Sequence, residues 1–184
     1  GFNTLAIVEN KPKILNLKEF ILHFLEFRQE VIIKKTKFDL SKALGRAHVL
    51  LGISVAIENL DKVIKIIRNS KSPEVAKKSL IENKWKISKT LKLIKLVENK
   101  NSKNLYSLTV NQVLAILELK LQKLTTMGIN EIELEIKKLA ELIINYRKIL
   151  NSKKELMNVI IKDLELIKEN FSVPRRTKII DAVL

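Results

Sequence analysis

The sequence predicts a mainly α fold: a long antiparallel two-helix coiled coil with a small helical globular tip, and short β strands at the base. Three observations carry that expectation. Glycine and proline number only 4 and 3 in 184 residues and aromatics make up 5%, poor material for a sandwich or barrel that needs many turns. Leu50, Ile53, Ile57, Leu60, Ile64 and Ile67 are spaced 3-4-3-4-3, the signature of a helix with one narrow apolar seam. Ile129, Ile132, Ile136, Leu139, Ile143, Tyr146 and Leu150 repeat the alternation about sixty residues later. Two such seams in one chain bury each other by folding back.

The elements follow in order. Residues 4–15 read as a hairpin within base strands over 1–16. Thr4-Leu-Ala-Ile-Val8 is β-prone, Glu9-Asn10-Lys11-Pro12 supplies turn chemistry, and Lys13-Ile-Leu15 returns. Asn16 is the expected N-cap of an outgoing helix over 17–69, since no further proline occurs before Pro73. Leu40, Ala43 and Ala47 extend its seam upstream. Such a helix measures roughly 80 Å at about 1.5 Å per residue, too long for a globe of 21.2 kDa, so it projects.

The tip is expected over 70–128. Ser72-Pro73 caps and opens a short helix, Trp85 anchors a local core, 88–97 forms an amphipathic helix and 98–104 a charged loop. Thr109 caps a helix over 109–123. Its apolar residues Val110, Val113, Leu114, Ile116, Leu117, Leu119, Leu121 and Leu124 occupy more than one face. A helix apolar most of the way round needs a second surface over it: either a tightly folded tip buries both faces, or two copies associate. The return runs over 129–171. Ser152, with Glu155 three residues on, writes a capping box that starts a new helix there, and Ile160, Leu164, Ile167 and Phe171 resume the seam. Pro174 stops the helix, and 172–184 reads as a β-prone tail beside the hairpin.

A net charge of +15 and a pI near 9.9 point to a polyanion, nucleic acid before membrane. Lysine outnumbers arginine 29 to 6, and isoleucine (25) and asparagine (15) are abundant, the set favoured by A/T-rich codons. Codon usage therefore accounts for part of the excess. Residues 1–69, 70–128 and 129–184 carry +5, +8 and +2, so the charge is spread. With no cysteine and two histidines, a disulfide framework, a thiolate zinc site, a cysteine nucleophile and a histidine-rich metal centre are excluded. The longest apolar run, 49–57, is nine residues and too short to span a bilayer. Gly1-Phe-Asn-Thr shows no charged signal-peptide region. A cytoplasmic protein without membrane contact is expected.

Candidate chemical groups are few. A tyrosine nucleophile needs an activating base or cation beside it. Tyr106 has no arginine neighbour and Tyr146 occupies a seam position, so both are read as structural. Glu131, Glu133 and Glu135 do not share one helix face, which argues for a solvated surface rather than a metal cluster. His48 beside Arg46 suits either a phosphate contact or a packed, hydrogen-bonded role.

Three blocks carry a specific resemblance. The first is Arg28-Gln-Glu30-Val-Ile-Ile-Lys34-Lys35-Thr36-Lys-Phe38-Asp-Leu40, with Lys42-Ala43, Arg46-Ala47-His48, Asn59-Leu-Asp61 and Ile67-Arg68. The second is Leu108-Thr109, Gln112, Ala115-Ile116-Leu117, Leu121 and Leu124-Thr125; the third is Phe171 with Arg175-Arg176-Thr177-Lys-Ile179. In order and spacing these resemble the cleavage subunit of bacterial type IIA topoisomerases. Arg46-Ala-His48 and Leu105-Tyr106-Ser-Leu108-Thr109 look more like the A subunit of DNA gyrase than that of topoisomerase IV. Departures include Phe27 in place of the family's His, Leu51 for Glu, Lys34-Lys35 for Arg-Arg, Lys120 for Arg, Thr126-Met127-Gly128 for Gly-Leu-Glu, and Leu114 for Gln.

The resemblance implies a coiled-coil arm with a tip that meets its counterpart on a second protomer at the exit gate, the C-gate, through which a transported duplex leaves. It implies a two-fold homodimer contact formed by Leu105, Tyr106, Leu108, Gln112, Val113, Ile116, Leu117 and Lys120, centred on Tyr106 and the helix over 109–123. Arg28, Lys34, Lys35, Arg46, Arg175 and Arg176 would contact DNA or pin the arm. The family's catalytic tyrosine would lie upstream of Gly1, so this segment is expected to hold no catalytic residue, metal or cofactor. ATP and Mg2+ would be used through a gyrase B partner in an A2B2 complex that supercoils DNA. A non-enzymatic coiled-coil scaffold accounts for the seams but not the three blocks. A standalone nucleic-acid-binding protein accounts for the charge, yet lacks helix-turn-helix spacing and an aromatic platform.

Overall fold

The structure is a computed structural model describing residues 3–88, 90–98, 104–119, 126–178 and 180. Its elements are β1 (Leu5–Val8), β2 (Lys11–Ile14), α1 (Leu17–Glu58), α2 (Leu60–Asn69), α3 (Pro73–Glu82), β3 (Lys84–Lys86), α4 (Leu91–Glu98), β4 (Leu105–Ser107), α5 (Val110–Leu117), α6 (Thr126–Asn151) and α7 (Lys153–Phe171). The fold is mainly α with short strands, as the seams and composition predict. The chain divides into a terminal unit, Gly1–Thr36 with Lys148–Leu184, and a central unit, Lys37–Arg147.

In the terminal unit β1 and β2 pair antiparallel, Leu5 opposite Ile14 and Val8 opposite Lys11. The turn is two residues, Glu9 and Asn10, with φ of 49° and 63°. That left-handed pair matches the twist of the flanking strands. Lys11 and Pro12, expected in the turn, therefore lie in β2. Pro12 has no N–H to donate, which a two-stranded edge tolerates. Asn16 is the N-cap: its Oδ1 accepts from the Glu19 N–H at 2.9 Å, and the Asn16 N–H donates to Glu19 Oε2 at 3.0 Å. This reciprocal box satisfies two of the donors a helix start leaves unpaired. Ser152 likewise caps α7, accepting from the Glu155 N–H at 3.4 Å.

A small core forms where Ile32 of α1 meets Leu156 and Ile160 of α7, with Leu25, Ile33, Ile149 and Leu164 around it. Arg28 donates to Asp163 at 3.2 Å and Gln29 to the Met157 sulfur at 3.6 Å. Partner numbers fall as α1 numbers rise, so these two helices run antiparallel. The seam does not stay covered to its end, because Ile167 and Phe171 are 50% and 76% exposed. The tail is also a correction: residues 172–178 form no strand. Pro174 lacks a ladder donor, and β1–β2 remains a two-stranded sheet. Ile179 and residues 181–184 lie outside the described residues.

In the central unit the two seams meet as their spacing predicts. Ala43, Ala47, Leu50 and Ile53 of α1 share one buried cluster with Ile132, Ile136, Ala140 and Ile143 of α6. By length and composition α1 would also qualify as a membrane span, but 44% of its most apolar stretch is buried inside the molecule. The helix expected over 17–69 divides at Asn59. The Asn59 amide donates to the carbonyls of Val55 and Lys86, both at 2.9 Å, so the break ties the helix to β3. Beyond it the face changes. Val63 is buried, whereas Ile64 and Ile67, expected in the seam, are 40% and 37% exposed.

Ser72 caps α3 by accepting from the Val75 N–H at 3.3 Å, with Pro73 opening the helix. β3 and β4 form an unexpected two-stranded sheet that sets Trp85 opposite Tyr106. Trp85 is fully buried, donates from Nε1 to the Leu80 carbonyl at 3.0 Å, and lies 5.0 Å beneath the Lys62 ammonium. α4 begins at Leu91, after the expected start, and ahead of it Ser88 and Thr90 are held by Glu58. The Glu58 carboxylate accepts from the Ser88 N–H at 2.7 Å and from the Thr90 hydroxyl at 2.7 Å. At the other end Arg147 donates to the Val97 carbonyl at 2.9 Å. Acid at the start and base at the end both complement the helix dipole. α5 stops at Leu117, short of the expected 123. Residues 99–103, most of the expected charged loop, and 120–125 lie outside the described residues.

Candidate functional site

The site implied by the second block is built on β4 and α5. Thr109 is the N-cap of α5, and its N–H donates to Gln112 Oε1 at 2.9 Å. Gln112, Val113 and Ile116 form the inner face, all buried. Tyr106 and Leu108 are buried beside them, at 7% and 3% exposure. Five of the eight residues expected at a two-fold contact are therefore spent inside the protomer's own core. Leu117 is half-buried against that core, and Lys120 lies outside the described residues. The physical reason is packing: α5 lies against both α3 and α1, and that buries its inner face. What remains outward is Leu105 on β4 and the stripe Val110 and Leu114, one turn apart, at 50%, 46% and 41% exposure. Among the described residues of β4 and α5, these are the large apolar side chains that stand exposed.

The amide of Gln112 donates to the His48 carbonyl at 2.7 Å and to Tyr106 Oη at 2.9 Å. His48 Nε2 is 2.8 Å from Thr109 Oγ1. His48 is thus a hydrogen-bonded link between α1 and α5, and Tyr106 is structural. Tyr146 packs half-buried against the same core. Glu135 is engaged by Arg46, and no group of acidic and histidine side chains suited to a metal occurs among the described residues.

The basic residues divide. Arg46 grips Glu135 through two bonds of 2.7 and 3.2 Å, which holds its guanidinium above the ordinary arginine value. Arg28 is paired with Asp163 at 3.2 Å, and Lys34 with Glu30 at 3.7 Å. These three join neighbouring groups of the protein itself. Lys35, Arg175 and Arg176 are exposed, and no ion pair to them is found among the described residues.

The family described as the A subunit of DNA gyrase/topoisomerase IV matches residues 1–165. The chain belongs to this family. It is 43% identical to the DNA gyrase A subunit of Rickettsia typhi over 182 residues, 97% of this chain and 20% of that protein. It is 35% identical to the DNA gyrase A subunit of Lawsonia intracellularis, over all of this chain and 20% of that protein. With the corresponding protein of Clostridium acetobutylicum the identity is also 35%, over 97% of this chain and 19% of that one. This member of the gyrase and topoisomerase IV family therefore spans about a fifth of the length of the curated relatives it matches. The type IIA resemblance read from the three blocks is borne out. The first block falls on α1 and α2, and the described part of the second on the start and body of α5, just after β4.

Three roles emerge only with the structure. That of Gln112 has a local signal, as the third helical position after an N-cap threonine, where glutamine completes a capping box. Gly52, where any Cβ would run into the Gln112 side chain, has a weaker one: glycine inside a helix is disfavoured by about 1 kcal/mol and wants a packing reason. Glu58 has none, because its partners are thirty residues away.

Proposed function

We propose that this chain is the arm-and-gate segment of a gyrase-type A subunit. It self-associates through the outer face of β4 and α5. Within the longer protein it would hold the exit gate closed between rounds of ATP-dependent passage of one DNA duplex through another, supporting negative supercoiling. The observation that carries this is the stripe of Val110 and Leu114, with Leu105, left apolar and exposed over a fully packed core. Self-association through so few apolar side chains suits a contact that opens and recloses, since permanent interfaces are larger and more apolar. Tyr106 and Tyr146 have structural places, so strand cleavage would reside elsewhere in the longer protein. The relatives named above are gyrase A subunits, which favours gyrase over topoisomerase IV.

The whole assembly would include duplex DNA and a B subunit carrying ATP and Mg2+, in the cytoplasm. Of the six basic residues named, Lys35, Arg175 and Arg176 are the ones offered to DNA phosphate, while Arg28 and Arg46 join helix to helix and Lys34 has only an exposed pair within α1. Neutralising the first three lowers the salt slope of duplex binding by about one per lost phosphate contact; an unchanged slope removes that role. For the gate, sedimentation equilibrium of the chain with Leu114→Glu and Phe27→Glu is decisive. The first change dissociates the dimer and the second does not. A dimer indifferent to Leu114→Glu overturns the reading.

A further inference from the structure

We infer that Gln112 is the positioning residue of the self-association face, a peg that orients α5 on α1 through a socket that only Gly52 leaves open. This rests on the reading of Val110 and Leu114 as part of that face. Gly45 and Gly52 lie in the same helix, and they differ sharply. A Cβ added at Gly45 meets nothing within 4 Å, whereas one at Gly52 would stand 2.5 Å from Gln112 Cβ and Cγ and 2.9 Å from Cδ. No side chain fits that gap, so the glycine exists for the glutamine.

The peg is polar, buried and satisfied. Gln112 is 0% exposed, and its two amide hydrogens go to the His48 carbonyl on α1 at 2.7 Å and to Tyr106 Oη on β4 at 2.9 Å. His48 Nδ1 lies farther off, at 3.4 Å. Oε1 takes the N–H of Thr109, the cap of α5, at 2.9 Å. One side chain therefore joins two neighbouring elements to the start of its own helix.

α5 has eight residues, too few to be stable or oriented alone. The inner apolar contacts of Val113 and Ile116 are non-directional, whereas hydrogen bonds fix rotation. Val110 and Leu114 sit two positions either side of Gln112, which at about 100° per residue places them on the opposite side of the helix. The peg thus sets where the outer stripe points without touching a partner.

The test measures self-association of the 184-residue chain by sedimentation equilibrium, alongside urea unfolding followed by the fluorescence of Trp85. Gln112→Leu fills the volume but removes the amide's bonds to the His48 carbonyl and Tyr106 Oη. It weakens self-association by about tenfold or more, while Val113→Ala, a comparable loss of stability, changes it by no more than about threefold. If Gln112→Leu does not fold, Gln112→Asn, which keeps the amide on a shorter stem, carries the same comparison. Gly52→Ala weakens association in the parent chain but not once Gln112→Gly has removed the Cβ and Cγ that fill the socket. Association that falls only in proportion to stability, or a Gly52→Ala defect that persists without the glutamine side chain, overturns the inference. Should Leu114→Glu leave association unchanged, the surface reading itself fails and the peg falls with it. If Leu114→Glu dissociates the dimer while the peg variants do not, only the peg is lost.

Discussion

In the central unit Trp85, Leu51, Leu80, Ile94, Ile136 and Ile143 are fully buried, while in the terminal unit Phe20, Phe24, Phe27 and Phe171 stand 45–76% exposed. Both units draw on α1 and α6, so the helices themselves do not explain the difference. The central unit adds α2 to α5, which close over the helix pair and bring their own buried polar groups, Thr90 and Gln112, with partners supplied. The terminal unit adds α7 and a two-stranded hairpin, and some of its cations are held in surface pairs such as Arg28 with Asp163. Apolar burial is the dominant favourable term at about 25 cal/mol per Å². Stability is therefore concentrated in the central unit, and the terminal unit keeps an apolar surface beside its hairpin.

The sharpest way to break that comparison is a pair of aromatic truncations. Trp85→Ala should cost about 3–5 kcal/mol of unfolding free energy in urea, and Phe27→Ala no more than about 0.5 kcal/mol. Equal losses would mean the two units share one core. Next in size, Ile160→Ala removes one of the few interior side chains of the terminal unit and should cost about 2–5 kcal/mol. Its effect should appear in helical circular dichroism without moving the Trp85 fluorescence transition; one common shift would show a single cooperative block. Smaller again are the caps: Asn16→Ala in the terminal unit and Ser72→Ala in the central unit should each cost about 1 kcal/mol, read as shifts in their own transitions.

The smallest effect is a pH dependence. Lys148 hydrogen-bonds Glu155 at 3.0 Å and holds its carboxyl below the ordinary glutamate value. Its contribution is complete above the ordinary value of about 4.3 and is lost as pH falls through the lowered value. Terminal-unit stability should thus decline on the acid side, and Glu155→Gln should flatten that limb; an unchanged limb would assign it to other carboxylates.

Caps and seams were legible because their signals are local. Asn16, Ser72, Thr109 and Ser152 act within three residues of themselves, and the paired seams need only a period. The Asn59 break was not legible, since its second bond goes to Lys86, 27 residues on. With it went the facing of Ile64 and Ile67. At the candidate site, the apolar excess of α5 was visible, but which half of it the protomer would keep was not. Val113 and Ile116 are as apolar as Val110 and Leu114, and only the packing of α5 on its neighbours, α3 and α1 at Gly52 among them, separates them.

Alone, the amino-acid order determined the helical class, the return of the chain on itself, most of the helix starts and the family, because each rests on spacing or on residues close in sequence. Tertiary structure decided where the outgoing helix breaks, which cations are already paired and which apolar stripe stays outside. Those outcomes depend on groups far apart in the chain, whose meeting is set by packing in three dimensions rather than by any local preference.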